Sequence, residues 1–347
     1  MEDFGDIMNI AIIRRWDVST VDGVNRFIFT LADGLRRLGH RVLVLSHHIK
    51  EDPSNLPNLF GVDVEVRTIG NACRGYVKCM WDWFIRGSRI LNKFEPDMII
   101  VNGVVPLRLK TFKVAVNHGN AVFELRRSLL KRYIAKWLYS LYDYVMCVSS
   151  KVASEMEELG LTCDEVIPIP LILENYIPKP YSEREPIVLH VGTSPRKRPD
   201  VSVNAVKLLR ERGYDVKLVI VSYYEKKHDW IIVKRKCSDQ ELRELYSKAL
   251  ALIHPSSWEG LPYVVLEAQA SGTPVIVGPG VPDGALVLGK SGFKIASFNP
   301  RDYAEKLRIL LEDSSLWKSM SSEARRYAER FDHIKIARRY IELYQVK

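Results

Sequence analysis

Apolar and polar positions alternate in blocks along this chain. Short β-branched runs, MNIAII (residues 8–13), RVLVLS (41–46), MIIVN (98–102) and KVAVN (113–117), are separated by stretches of helical periodicity, the first from about Asn25 to Leu38. Apolar runs of this length read as strands buried on both faces, and their alternation with amphipathic helices reads as a parallel α/β sheet. A second series begins at PIVLHVG (186–192) and continues through VKLVIV (216–221), ALALIH (249–254) and TPVIVG (273–278). Between the two series lies IPIPLILENYIPKPYSEREP (167–186), whose five prolines interrupt regular structure. The pattern predicts two Rossmann-like, doubly wound α/β domains facing a central cleft, one over residues 1–170 and one over 171–331, with a helix over 332–347. Ligands of such sheets sit outside the carboxyl ends of the strands, so the residues that close each strand matter most for function.

Composition narrows the class. The chain has 347 residues, 47% apolar and 27% charged, and a mean hydropathy of -0.10. These values exclude a disordered or collagen-like chain, and the length suits two domains with a full core each. A net charge of +9 and a pI near 9.2 favour a polyanionic, phosphorylated or anionic-surface partner, without choosing among them. Residues 1–180 hold 23 Lys/Arg against 21 acids, and residues 181–347 hold 28 against 21, so most of the excess belongs to the second domain. The five cysteines (Cys73, Cys79, Cys147, Cys163 and Cys237) are odd in number and form no C-x-x-C pair, which argues against a disulfide framework or a structural zinc site. No basic n-region and no run of about 18 apolar residues is present, so the expectation is a cytoplasmic protein.

Several motifs compete for the chemistry. Gly284 to Ser291 satisfies the P-loop pattern, but a working P-loop follows a strand and opens a helix, whereas Ser291 is followed by Gly292 and the strand-like FKIASF. The glycine-rich turn Gly278-Pro-Gly280 either offers N–H groups to a phosphate or sugar or serves as a tight connection. The segment HPSSWEGLPYVVLEAQASGTPVIVG (254–278) carries two carboxylates, Glu259 and Glu267, eight positions apart. On one continuous helix that spacing is about 12 Å, beyond the ~5–9.5 Å of a glycosidase pair. It suits two anchors on one elongated ligand, or two solvated helix charges; local physics leaves both open.

The setting PSxxEGLPxVVLEAxAxGxPVI resembles the donor-site signature of the retaining family 4 glycosyltransferases of the GT-B fold, the glycosyl transferases group 1. The resemblance runs almost the length of the chain. MNIAIIRRWDVSTVDGVNRFIFTLADGLRRLGHRVLVLS is similar to the family's opening strand, loop and helix, AVNHG to its acceptor-side histidine motif, and HVGTSPRKRPDVSVNA to its phosphate-binding loop. It implies that Glu259 contacts donor-sugar hydroxyls, that Glu267 holds the nucleotide ribose, and that backbone at Gly260 and Leu261 lies beside sugar and diphosphate. It further implies that His118 touches the sugar, that Gly23 gives a tight turn near the diphosphate, and that helix 332–347 crosses back to the first domain. The chain departs from the family where Gly-Arg is usual, having Thr193 after Gly192. Lys197 matches the family's lysine, and Arg196 and Arg198 are candidates for the missing cation, although a solvated basic loop would look the same. VIVSYYEKKHDW (219–230) lacks the usual Gly-x-Gly, and Asp283 stands where Glu is usual.

The resemblance implies a hexosyltransferase that moves a sugar from a nucleoside-diphosphate donor to a hydroxyl acceptor on a glycan, glycolipid or polyprenyl-linked sugar, with retained configuration. Its alternative is a catalytically weakened sugar-nucleotide or polyanion-binding protein on the same fold. No Asp-x-Asp occurs, so no metal and no cofactor are expected. On the acceptor side, residues 105–137 hold eight Lys/Arg and one acid, Glu124. Here Leu130, Ile134, Trp137, Leu138 and Leu141 share one helical stripe, which either packs on its own sheet or lies on an anionic membrane as a peripheral contact. No nucleic-acid-reading motif accompanies the charge, so nucleic acid is not expected as a partner.

Overall fold

The computed structural model describes residues 6–50, 56, 60–70, 75–119, 122–192, 194–225 and 228–346, the side chains of residues 123 and 124 excepted. The chain divides into two compact units, residues 1–170 with 331–347, and residues 171–330.

The first unit opens with β1 (Asn9–Asp17), α1 (Gly23–Arg37), β2 (Arg41–His48) and β3 (Glu65–Thr68). Helix α2 (Tyr76–Asp82) then runs through a π-turn (Trp83–Gly87) into α3 (Ser88–Phe94). Strands β4 (Met98–Asn102) and β5 (Phe112–Asn117), helices α4 (Val122–Arg126) and α5 (Leu129–Tyr139), β6 (Tyr144–Cys147), α6 (Ser150–Glu157) and β7 (Glu165–Val166) complete its sheet. All seven strands are parallel, in the order β3-β2-β1-β4-β5-β6-β7. The order reverses at β1, whose Ile10, Ile12 and Ile13 are fully buried between β2 and β4. Right-handed crossovers place α2, α3, α5 and α6 on one face and α1 on the other.

The second unit carries β8 (Glu185–Val191), α7 (Pro199–Glu211), β9 (Lys217–Val221), β10 (Ile231–Lys234), α8 (Asp239–Lys248), β11 (Ala249–His254), α9 (Tyr263–Ala270), β12 (Val275–Val277) and β13 (Gly292–Lys294), then α10 (Pro300–Glu312) and α11 (Ser314–Ala328). Its parallel sheet runs β10-β9-β8-β11-β12-β13 and reverses between β8 and β11. The core gathers Val188, Val206, Leu218, Ile253, Tyr303 and Trp317. The proline-rich segment is pinned to this unit, because the Arg325 guanidinium donates to the carbonyls of Tyr176 at 3.0 Å and Ala270 at 2.7 Å.

The last helix, α12 (His333–Gln345), packs on α1 in the first unit. Gly34 permits the approach: a Cβ there would stand 2.5 Å from the His333 carbonyl oxygen. His333 Nε2 also ion-pairs with Asp33 at 3.0 Å. Cys147, Cys163 and Cys237 are free thiols, while Cys79 is disulfide-bonded, a departure from the cysteine reading. An odd count without C-x-x-C excludes a framework but not one bond. Among the described residues no helix is long and apolar enough to cross a membrane, and no cluster of three His, Cys, Asp or Glu is placed to hold a metal.

Candidate functional site

In the second unit, strand β11 ends at His254 and the chain turns through Pro255–Pro262 into α9. The glycine-rich turn after β12 lies against this loop. Gly278 N donates to His254 O at 2.9 Å, Gly280 N to Ser256 O at 3.1 Å, and Glu259 N to Gly280 O at 3.0 Å. A Cβ on Gly280 would fall 2.1 Å from the Ser257 carbonyl carbon. These glycines therefore serve close backbone packing, which braces the loop that presents Glu259. The P-loop look-alike is likewise structural: Ser291 Oγ donates to Gln269 Oε1 at 2.7 Å and accepts from Val287 N at 2.9 Å.

The Glu259 carboxylate is only 5% exposed, and one of its oxygens is shared by two donors, Lys197 Nζ and His254 Nε2, the latter at 3.0 Å. Burial works against a charged carboxylate here, yet His254 and Lys197 together hold it well below the usual range. Burial lowers the Lys197 ammonium, opposed by its carboxylate partner, and also lowers His254, with Lys197 adding to the effect. A carboxylate only accepts, so the neutral imidazole of His254 donates from Nε2, and its buried Nδ1 has no partner among the described residues. Gly192 makes room for this arrangement. Its φ of 151° lies in the glycine-favouring region, and a Cβ would stand 2.6 Å from Lys197 Cγ.

The basic run after Gly192 splits three ways. Lys197 joins Glu259. Arg196 lies over the Trp258 ring at 5.6 Å, and its carbonyl accepts from Ser257 N at 2.9 Å, so it shares the Glu259 loop. Arg198, at φ 54°, turns instead to Asp200 with bonds of 3.0 and 2.8 Å and stacks on Phe298. Thr193 lies outside the described residues. Gly260 is buried and Leu261 half-buried, between Glu259 and the N-terminus of α9.

Glu267 belongs to a different cluster. It is 1% exposed, and its two oxygens accept from the hydroxyls of Tyr176 at 3.1 Å and Tyr246 at 2.9 Å. A ribose hydroxyl would have to share an oxygen already in use.

In the first unit, His118 follows β5 and Asn102 closes β4. The Asn102 side-chain nitrogen donates to Ile13 O at 3.2 Å, which turns its oxygen toward His118 Nε2 at 2.9 Å. His118 therefore carries its proton on Nε2 and leaves Nδ1 as an acceptor. Burial, with Arg14 adding, pushes its pKa down to about 3, so the ring is neutral at any physiological pH. Phe27 holds it edge-on at 4.8 Å. Arg14, near the end of β1, pairs with Asp22 at 3.0 Å, and Asp22 caps α1 by accepting from Asn25 N at 2.8 Å. Gly23 is the exposed first residue of that helix; the turn before it is held by Asp17, Thr20 and Asp22 through Ser19 and Asn25.

Sequence reasoning passed over Arg14, Asn102 and His254. Asn102 and His254 share one signal, each being the polar residue that closes an otherwise apolar strand, MIIVN and ALALIH, whereas Arg14 lies inside β1 with no such mark.

Two family models match the chain, "Glycosyltransferase Family 4" over residues 21–171 and "Glycosyl transferases group 1" over 174–327. A D-inositol 3-phosphate glycosyltransferase from Streptomyces bingchenggensis is 39% identical over 118 residues, which are 33% of this chain and 26% of the relative. An N,N'-diacetylbacillosaminyl-diphospho-undecaprenol alpha-1,3-N-acetylgalactosaminyltransferase from Campylobacter jejuni is 33% identical over 106 residues, 30% of this chain and 28% of the relative. These alignments thus span little more than a quarter of either relative. Among solved structures, Anabaena HepE in complex with UDP-glucose superposes with a TM-score of 0.75 over 98% of this chain and 100% of that one, at 16% identity.

Proposed function

From the premise that this chain belongs to the group 1, family 4 glycosyltransferases of the GT-B fold, we propose that it moves a hexose from a nucleoside-diphosphate sugar to a hydroxyl acceptor with retention of configuration. The observation that carries the reading is the single Glu259 oxygen held between Lys197 and His254 at the carboxyl end of β11. A buried carboxylate kept ionised is a strong acceptor for sugar hydroxyls, and His254 fixes its orientation. Of the two partners, Lys197 is the one that carries charge. When a diphosphate arrives, its ammonium exchanges the carboxylate for phosphate oxygens, with Arg196 beside it on the same loop. As the C1–O bond to the diphosphate breaks, negative charge grows on the leaving group, and fixed cations stabilise it without a metal. The acceptor oxygen bonds to C1 from the face that the diphosphate leaves, and its proton passes to a diphosphate oxygen. His118, neutral and with Nδ1 open, accepts from a donor-sugar hydroxyl.

The chemistry named for the relatives supports this reading: one solved neighbour is described with UDP-glucose, and one relative's name contains a diphospho-undecaprenol acceptor. The acceptor proposed here is accordingly a hydroxyl on a glycan or a lipid-linked sugar. The test is a thermal-shift panel of UDP-, GDP- and ADP-sugars, followed by donor hydrolysis or transfer with and without a chelator. A raised Tm with one donor series and chelator-resistant turnover support the proposal. Binding without turnover would identify a sugar-nucleotide-binding protein instead.

A further inference from the structure

Ten of the seventeen large apolar side chains that stand exposed among the described residues come from two short stretches of the first unit. Helix α2 and its π-turn contribute Tyr76, Val77, Trp81, Phe84 and Ile85, and α5 contributes Leu129, Leu130, Tyr133, Ile134 and Trp137. Trp81 is 58% exposed, Trp137 59% and Leu130 70%. The expected stripe on α5 is thus split: Leu138 is buried against the sheet, while Leu130, Ile134 and Trp137 face away from it. In the π-turn, Trp83 is buried with its indole N–H on Arg15 O at 3.3 Å, which leaves its neighbours Phe84 and Ile85 outside. An amphipathic helix normally spends its apolar face on the core. These two present a second apolar face to solvent.

The two stretches are neighbours. Both lie on the same side of the sheet, and the loop between β4 and β5 joins them: Arg108 N donates to Ser88 Oγ at the start of α3, and Val105 N donates to the Tyr142 hydroxyl just after α5, each at 2.8 Å. Arg15 lies over the Tyr76 ring at 5.6 Å and is close enough for its charge to act on Tyr139 at the end of α5. Cations accompany the apolar groups. Lys78, Arg86, Arg89, Arg126, Arg127, Lys131 and Lys136 are exposed there. Two described acids lie among them: Asp82 faces Arg86 and His47 at 3.8 and 3.4 Å, and Glu158 pairs with Arg126 at 3.0 Å.

We propose that these two helices form one docking surface for an anionic lipid bilayer, with Trp81, Phe84, Ile85, Leu130 and Trp137 entering the headgroup boundary and the cations meeting lipid phosphates. Charge decides the occupant. A second copy would set one basic surface against another, and a nucleic acid would leave Val77, Ile85, Leu129, Leu130 and Ile134 in water, whereas an anionic bilayer satisfies both halves of the composition. The purpose of the contact, bringing the chain to a lipid-linked acceptor, rests on the function proposed above; the contact itself does not.

The test is partition of the full chain onto phosphatidylcholine vesicles with and without phosphatidylglycerol, followed by co-sedimentation and tryptophan emission. Expected are binding at least about tenfold tighter to the anionic vesicles, weakening as salt is raised, and a blue shift of emission. Trp81→Ser combined with Trp137→Ser removes the shift and most of the binding, and Lys78→Glu combined with Lys136→Glu removes the preference for anionic lipid. All four side chains are exposed, so the variants keep the wild-type melting temperature and donor-induced thermal shift. Equal partition onto both vesicles, indifference to both variants, or lipid-free self-association abolished by the tryptophan variant would overturn the proposal. Loss of the donor shift with vesicle binding intact would count against the transferase reading alone.

Discussion

Glu259 and Glu267 stand eight residues apart in one motif, are both almost fully buried, and live in opposite surroundings. Glu259 is held by a charged lysine and a neutral histidine; Glu267 is held by two uncharged tyrosine hydroxyls. In the function proposed above, the first arrangement trades partners, a phosphate replacing the carboxylate on Lys197. In the second, each carboxylate oxygen already accepts from one tyrosine hydroxyl. Identical side chains at a fixed spacing thus divide into one paired with a charged donor and one that ties the linker segment at Tyr176 to helices α8 and α9.

The contrast breaks first at Glu259. Replacing it with Ala removes the carboxylate proposed to accept from sugar hydroxyls and leaves Lys197 buried without its counterion, and transfer or donor hydrolysis is expected to fall by roughly 10²–10³-fold, the scale of losing one preorganised electrostatic contact at a reacting centre. Lys197→Ala is expected to cost a similar factor in kcat, with a folded chain, since Glu259 keeps His254. Steady-state kinetics check both, and full activity in Lys197→Ala removes the lysine from the phosphate site. His254→Gln, which keeps an N–H donor near the position of Nε2, should retain far more activity than His254→Leu. Equal losses in the two would mean that the histidine acts by packing rather than by orienting the carboxylate.

At Glu267 the expected damage is to stability. Tyr246→Phe deletes a hydroxyl from a buried carboxylate oxygen, and an unsatisfied buried acceptor costs about 1–3 kcal/mol. Tyr176→Phe should cost less, since its bond is the longer one. Thermal melts with and without donor distinguish the roles. If the donor-induced shift survives in both variants while the apo Tm drops, Glu267 is a structural anchor; if the shift disappears, its carboxylate also serves the nucleotide.

Much of this was readable from the chain, and what was not has physical causes. Strands β1, β4, β5, β8, β9 and β11 are buried on both faces and announce themselves as apolar runs. The short edge strands β3, β7 and β10 escaped notice, because an edge strand is half solvated and lacks a continuous apolar signature. Lys197 and Glu259 sit in local patterns that can be recognised. Tyr246 and Tyr176 lie 21 and 91 positions from the carboxylate they bind, and nothing in a window around Glu267 points to them. Helical periodicity on α5 located a stripe but not its direction, since the same spacing describes a face turned to the sheet or away from it.

A smaller and slower effect is expected where α12 meets α1. Burial alone would lower the His333 pKa, but the carboxylates of Asp33 and Asp332 outweigh it and raise it to about 9. The folded state therefore favours the protonated ring. Its stabilisation is complete below the ordinary histidine value of about 6.5 and drains away as pH climbs through about 9, for a loss of roughly 1–3 kcal/mol. Asp33 and Asp332 are held below the usual carboxylate range, so acid weakens the same contact from the other side, and Arg37 lies 2.7 Å from Asp33. Hydrogen exchange of the amides in α12 should quicken between pH 6.5 and 9 beyond the intrinsic base-catalysed rise. In His333→Gln that excess should vanish while exchange at pH 6 becomes faster. Amides that follow only the intrinsic rate in the wild-type chain would show that the helix is held by its apolar face, Ile336, Tyr340 and Leu343, and that the ion pair contributes nothing.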